Sequence, residues 1–269
     1  MPKAKVNEVN IDYAVHGRGE PLVLIQGLGG PRSGWIFQTR AFGKYYRVIT
    51  FDNRGVGKSD KPGGSYTVRT MADDTIALLD YLGVDKAHVL GISLGGMIAQ
   101  EIAINYPERV RKLILACTAA ETGATDESVI KAMGLGNGSS EAEITDLRSA
   151  DMSKVMSAVI SLSYNRKLFK VLLLPLAKIY LRFGEVKAIS GQLEAAAAYS
   201  TLDRLQQIKA PTLVIVGTGD KLMPVHSSEM LANRITGARL IKVEGGSHAF
   251  FMEMRGRFNK EVLNFLKGS

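Results

Sequence analysis

Val89-Leu90-Gly91-Ile92-Ser93-Leu94-Gly95-Gly96-Met97-Ile98-Ala99-Gln100 is the stretch on which the reading of this chain turns. An apolar run enters Gly91-Ile92-Ser93-Leu94-Gly95, and the small residues Gly96 and Ala99 leave it at helical spacing. The pattern is G-x-S-x-G between a strand and a helix, a context that says more than the five residues alone. Ser93 is expected at the apex of a sharp turn. Glycine is needed on both sides, because a Cβ at Gly91 or Gly95 would collide with the chain brought close by the turn. The hydroxyl is thereby exposed, with the first amides of the following helix aimed at whatever it attacks.

Working outward, strands and helices alternate. Val6 to Val15 alternates apolar and polar residues around Asn10, as an antiparallel edge hairpin does. Leu22-Val23-Leu24-Ile25-Gln26 is a buried strand that opens into Gly27-Leu28-Gly29-Gly30, a loop whose amides can approach a ligand closely. Arg47 to Phe51 is a third strand and runs into Asp52-Asn53-Arg54-Gly55-Val56-Gly57-Lys58-Ser59-Asp60, which lacks the spacing of a phosphate-binding P-loop. Thr70 to Leu82 carries Met71, Thr75, Leu78, Leu79 and Leu82 on one face and stops at Gly83, as an amphipathic helix with a glycine cap would. Ala87 to Leu90 feeds the Ser93 turn, its helix ends at Asn105 before Pro107, and Lys112 to Ala116 is the next strand. This rhythm predicts an α/β protein, a mostly parallel central sheet with helices on both faces.

After Ala116 the rhythm breaks. The next clear strand, Thr212 to Val216, comes about 95 residues later, whereas a crossover needs only a dozen or more. The segment 121–205 is read as a helical cap inserted over the sheet edge, with 1–120 and 206–269 forming the core. Leu240 to Val243 resumes the pattern, and a last helix carries Phe258, Val262, Phe265 and Leu266 on one face.

A serine hydroxyl is a weak nucleophile until a base takes its proton, and the base needs a partner to hold its tautomer. Of the four histidines, His16 lies near the hairpin, His88 at the start of the Ser93 strand and His226 on a polar segment. Only His248, in Gly245-Gly246-Ser247-His248-Ala249, directly follows a strand and so falls at the edge where Ser93 belongs. Asp220, closing Val216-Gly217-Thr218-Gly219-Asp220, is the candidate acid, with Glu121 as its rival; Asp52, Asp60 and Asp85 read as loop residues.

In chain order these are Ser93, Asp220 and His248, and with them the chain resembles the α/β-hydrolase superfamily over nearly its whole length. The matching motifs are Gly27 to Gly30, Asp52 to Ser59, Gly91 to Gly96, Gly217 to Asp220 and Gly245 to His248. The resemblance implies a catalytic triad and an oxyanion hole made by the Leu28 and Leu94 backbone amides; a developing oxyanion needs two such fixed donors. Gln26 stands where many members carry histidine. A serine nucleophile argues against haloalkane dehalogenases and epoxide hydrolases, which use aspartate at that position. Around Ser93 the chain is similar to small carboxylesterases and enol-lactonases, and Gly30 to Trp35 is loosely similar to C–C bond (meta-cleavage-product) hydrolases.

The expected activity is cleavage of a carboxylic ester of a small, largely apolar molecule through an acyl-enzyme, with enol-lactone or C–C bond hydrolysis as the alternative. A ligand-binding receptor on the same scaffold is the alternative of another class. Gln26, Trp35, Met133 and Leu173 are the candidate pocket residues; Leu173 belongs to the apolar, lysine-flanked stretch Leu168 to Phe183, which reads as a pocket roof or as a helix pair packed on the sheet, and Met133, Met152 and Met156 read as filling the cap core or, alternatively, lining the pocket. No Cys/His cluster or dinucleotide fingerprint calls for a metal or cofactor.

Composition agrees. With 269 residues, 46% hydrophobic and 22% charged, the chain reads as one globular domain with an insertion. The net charge of +8 is scattered without a basic run, which argues against a nucleic-acid partner. No stretch is long and apolar enough for a membrane span, no leader is evident at Met1 to Asn10, and the single Cys117 cannot form an internal disulfide, so a cytoplasmic location is expected.

Overall fold

The computed structural model describes residues 2–121, 151–165 and 186–268, and in them the alternation of the sequence becomes one eight-stranded sheet. The strands are β1 (Lys3–Val6), β2 (Val9–His16), β3 (Pro21–Ile25), β4 (Arg47–Phe51), β5 (Ala87–Ile92), β6 (Val110–Ala116), β7 (Thr212–Gly217) and β8 (Arg239–Val243). Their spatial order is β1-β2-β4-β3-β5-β6-β7-β8. β2 runs antiparallel to β1 and β4, and every pairing from β4 across to β8 is parallel. All the parallel strands therefore end at the same edge, and the loops after β3, β4, β5, β6, β7 and β8 emerge together there.

Each parallel strand is apolar on both sides because helices cover both. Val23, Ile25, Val89, Leu113 and Val214 face a layer built from α2 (Val68–Tyr81), α3 (Leu94–Asn105) and the buried Leu231 of α6 (Val225–Arg234). Their neighbours Leu22, Leu24, Leu90, Ile114 and Leu213 face the opposite layer, which holds Phe42 of α1 (Ile36–Phe42). That layer also holds Phe250 of α7 (Phe250–Glu253) and Phe258, Val262 and Leu266 of α8 (Arg255–Lys267). The alternation is the period of two that a pleated strand imposes.

The hairpin turns earlier than its pattern predicts. Asn7 and Glu8, with φ of 42° and 68°, form the two-residue turn, a geometry that requires positive φ at both central positions and that asparagine tolerates. Asn10 lies inside β2, where its backbone N–H and its Nδ2 both donate to Asp60 Oδ2, at 2.9 and 2.8 Å. α2 likewise starts ahead of Thr70, because the Thr67 hydroxyl accepts the Thr70 N–H at 3.1 Å and caps the helix.

β6 and β7 are adjacent and parallel, yet the chain between them makes a long excursion. Glu121 and Ser200 pair as an isolated antiparallel bridge, so the chain leaves and returns at one point. Within the excursion the described helices α4 (Met152–Ser163) and α5 (Val186–Ala197) pack on each other. Met133 and Leu173 lie outside the described residues. No described helix is long and apolar enough to cross a membrane.

Candidate active site

Ser93 connects β5 to α3 with φ 54° and ψ −124°, a conformation that costs a non-glycine residue on the order of 1–3 kcal/mol. What enforces it is close packing. A Cβ on Gly91 would overlap Gly95 O, and one on Gly95 would overlap Ile25 O and lie 2.7 Å from Gln26 O. The serine backbone is tied down on its other side: Ser93 N–H donates to Ala116 O at 3.0 Å, and Thr118 Oγ1 donates to Ser93 O at 2.8 Å.

The loop after β3 passes directly beside this turn. A Cβ on Gly27 would sit 3.1 Å from Ser93 Cβ and 3.6 Å from its Oγ. Gly30 N–H donates to Gly27 O at 3.0 Å and Gly29 N–H to Gln192 Oε1 at 2.9 Å, leaving the Leu28 N–H outside the bonding of its own loop among the described residues. Leu94 is the first residue of α3, and the opening N–H groups of a helix have no partner within it. Among the described residues, neither the Leu28 nor the Leu94 N–H meets a hydrogen-bond acceptor.

The loop after β4 braces the loop after β3. Asp52 accepts the Arg32 N–H at 2.6 Å and the Lys58 N–H at 2.9 Å, while Asn53 Nδ2 donates to Gln26 O at 3.2 Å. Burial pushes the Asp52 carboxyl above the usual carboxylate range, against the pull of those two amides. The Gln26 side chain lies beneath its own loop, where a Cβ on Gly34 would come 2.6 Å from Nε2 and one on Gly30 would come 3.0 Å from Oε1. Trp35 is fully buried in the α1/α8 layer, its ring 5.1 Å from that of Phe251.

Asp220 and His248 come from the loops after β7 and β8, and their side chains meet: His248 Nδ1 is 2.8 Å from Asp220 Oδ2. The other carboxylate oxygen accepts the Leu222 and Met223 N–H groups, each at 2.9 Å. The two loops interlock through Gly219 N–H to Gly246 O at 2.8 Å and Gly245 N–H to Thr218 Oγ1 at 2.8 Å. Ser247 Oγ donates to the Glu253 carboxylate, and Ala249 N–H donates to Ser163 O at 2.8 Å, so α4 holds the histidine loop from above. Among the described residues no hydrogen bond yet reaches Ser93 Oγ; such bonds are often long in unliganded sites and shorten when substrate binds.

Among the described residues, none of the rival candidates shares the Asp220–His248 contact. Glu121 takes part in the bridge to Ser200, and His226 is exposed on α6. His16 pairs with Val48 in the sheet. His88 sits at the opposite edge, 3.2 Å from Glu20 and edge-on to Tyr46, and burial holds its imidazole below the usual range.

Cys117, in the sequence only an unpaired cysteine, lies at the site. It follows β6 with φ 45°, and its Sγ lies with an Asp220 oxygen and a His248 nitrogen, all three atoms within 4.8 Å of one another. Three such atoms could in principle ligate a metal ion. Here the donors are engaged with one another, and burial together with the Asp220 carboxylate pushes the thiol well above its ordinary range, so the thiolate a metal needs is disfavoured.

Sequence patterns also give no sign of Thr118, Gln192, Ser163 or Glu253. They act through tertiary contact rather than motif, and the two from the excursion, Ser163 and Gln192, lie far along the chain from the loops they touch. Met156 lies against the loop after β3: a Cβ on Gly29 would meet Met156 Cε at 3.3 Å and Ile189 Cδ1 at 3.5 Å.

A family model described as alpha/beta hydrolase fold matches residues 20–254. RutD of Azorhizobium caulinodans, a protein named for carbamate hydrolysis, is 30% identical over 269 residues, covering 98% of each chain. The 3-oxoadipate enol-lactonase 2 of Acinetobacter baylyi is 30% identical over 267 residues, covering 97% of this chain and 94% of its own. The crystal structure of the enol-lactonase from Burkholderia xenovorans LB400 superposes with a TM-score of 0.85 at 28% identity, covering 99% of this chain and 100% of that one.

Proposed function

Because the chain belongs to the α/β-hydrolase family, we propose that it cleaves a carboxylic ester or lactone of a small, largely apolar molecule, with Ser93 as nucleophile. The observation that carries this reading is the 2.8 Å contact between His248 Nδ1 and Asp220 Oδ2, on the sheet edge from which the strained Ser93 turn also emerges. Asp220, accepting from Nδ1–H, keeps Nε2 free to act as a base.

His248 Nε2 takes the Ser93 proton as Oγ bonds to the carbonyl carbon, and the carbonyl oxygen becomes an oxyanion held by the Leu28 and Leu94 N–H groups. When the tetrahedral intermediate collapses, the bond to the alcohol oxygen breaks and His248 gives that oxygen its proton. A water then repeats the sequence on the acyl-serine: His248 takes one of its protons, the acid leaves, and Ser93 recovers its hydrogen. In a lactone the leaving alcohol stays tethered to the acyl group, and the chemistry is otherwise the same.

Residues 121–205 act in this reading as a cap over the site. Met156 and Ile189, two of the described cap side chains against Gly29, are apolar, which favours an apolar substrate body. Lactones fit the names of two of the relatives, and the name of RutD adds carbamates to the compounds to be tried.

The test is a steady-state screen of p-nitrophenyl esters, lactones, carbamates and vinylogous diketones, run with wild type and Ser93→Ala. Ester or lactone turnover that disappears in Ser93→Ala is expected. Equal rates for the two proteins, or cleavage of the diketones alone, would overturn the reading.

A further inference from the structure

Gln192 of α5 is completely buried, and both ends of its carboxamide are in use. Oε1 accepts the Gly29 N–H at 2.9 Å, and Nε2 donates to Arg54 O at 2.9 Å. One side chain from the long excursion therefore ties the loop after β3 to the loop after β4.

The Arg54 end is rigid. Its guanidinium makes two bonds to the Asp74 carboxylate of α2, at 2.5 and 2.6 Å, and lies 5.4 Å from the centroid of Tyr66. Tyr66 in turn packs on α5 where Gly191 leaves room, since a Cβ there would sit 2.9 Å from the ring. The Gly29 end is the adjustable one: Gly29 has φ 63°, and the peptide plane that Gln192 holds joins it to Leu28. Fixing that plane restricts the rotations that set the direction of the neighbouring Leu28 N–H.

We propose that Gln192 is a positioning residue, which hangs the Leu28–Gly29 peptide from the Arg54 anchor so that the oxyanion hole is complete only while α5 is seated. The proposal rests on the ester-hydrolase reading, in which Leu28 N–H binds the oxyanion. Gln192 itself touches no reacting atom. Losing it leaves the Gly29 N–H buried without a partner and lets the loop choose another peptide orientation.

Two variants test this, after wild type and Ser93→Ala have established that turnover depends on the serine. Gln192→Leu keeps the volume and removes both bonds; kcat should fall about 10- to 100-fold, the penalty of an ångström-scale displacement, with KM nearly unchanged. Gln192→Glu reproduces the carboxamide when protonated, its hydroxyl donating to Arg54 O, and opposes that carbonyl when ionised. The ratio of its kcat to that of wild type should decline between about pH 5 and 9, because a buried carboxyl titrates high. The ionisable groups facing this corner, Arg54, Asp74, Tyr66 and Glu194, are common to both proteins, as is His248, so the ratio isolates position 192. A Gln192→Leu protein with wild-type kcat, or a Gln192→Glu ratio flat with pH, would overturn the proposal. If Gln192→Leu does not fold, the Gln192→Glu ratio decides alone. Loss of serine dependence in wild type would instead refute the underlying hydrolase reading.

Discussion

Replacing Asp220 with asparagine changes one atom and reverses one hydrogen bond. In the native site Oδ1 accepts two backbone N–H groups, from Leu222 and Met223, while Oδ2 faces His248 Nδ1 at 2.8 Å. The asparagine carboxamide has one oxygen to offer. If it stays with the two backbone donors, the NH2 group faces Nδ1, which must then accept; the imidazole proton moves to Nε2, and the base is lost. If the amide flips, the NH2 meets two N–H groups that can only donate. The first arrangement keeps every bond and the second sacrifices two, so the wrong tautomer is the stable one. A histidine held in that tautomer loses about 10⁴-fold in kcat, or about 5 kcal/mol at 1.36 kcal/mol per decade. Stopped assays with a short p-nitrophenyl ester, together with a thermal melt, measure this directly. Glu121→Gln, run alongside, should stay within about twofold of wild type. An Asp220→Asn protein that keeps kcat within tenfold while melting normally would refute the reasoning, and loss of activity in Glu121→Gln alone would move the acid to that residue.

Other expectations follow from packing and burial. Gly95→Ala places a methyl inside the contact shell of Ile25 O, a backbone atom of a central strand that cannot step aside. The variant should lose about 3 kcal/mol or more and melt about 6–12 °C lower; an unchanged melting temperature would contradict the packing described for the turn. Cys117 should resist thiol reagents in the native protein at pH 8 and react once urea unfolds it. Its folded pKa is raised, so above the ordinary thiol range the unfolded chain gives up a proton that the folded chain retains. Stability should therefore fall as pH rises past that range, and the Cys117→Ala protein should lack that part of the decline.

The sheet was legible because its strands are buried on both faces and so read as uninterrupted apolar runs; Leu22 to Ile25 and Leu213 to Val216 could be little else. The loops of the candidate site were legible because close approach demands glycine, and Gly91, Gly95, Gly217 and Gly246 mark the places where backbone meets backbone. The hairpin was misplaced because Asn10 looks like a turn residue while Asn7 and Glu8 supply the positive φ that the turn needs. Gln26 signalled a change from the commoner histidine, but sequence could not say that its side chain folds beneath its own loop. Gln192 and Ser163 gave no signal at all. Their partners, Gly29 N–H, Arg54 O and Ala249 N–H, are backbone groups, and any residue type presents those. Gln192 meets distant backbone through its side chain and Ser163 through its own carbonyl, and neither kind of contact leaves a pattern in one sequence, which is why the role of the excursion in bracing the site is visible only in the folded chain.

The central claim is that Ser93 carries the acyl group. Intact-mass and peptide mass spectrometry after brief exposure to a fluorophosphonate, and separately after acid quench of a slowly deacylating ester, reads this directly. The account predicts one adduct per chain, on the peptide containing Ser93, absent from Ser93→Ala and formed far more slowly in Asp220→Asn. An adduct on another residue, or ester turnover that persists in Ser93→Ala, would contradict it.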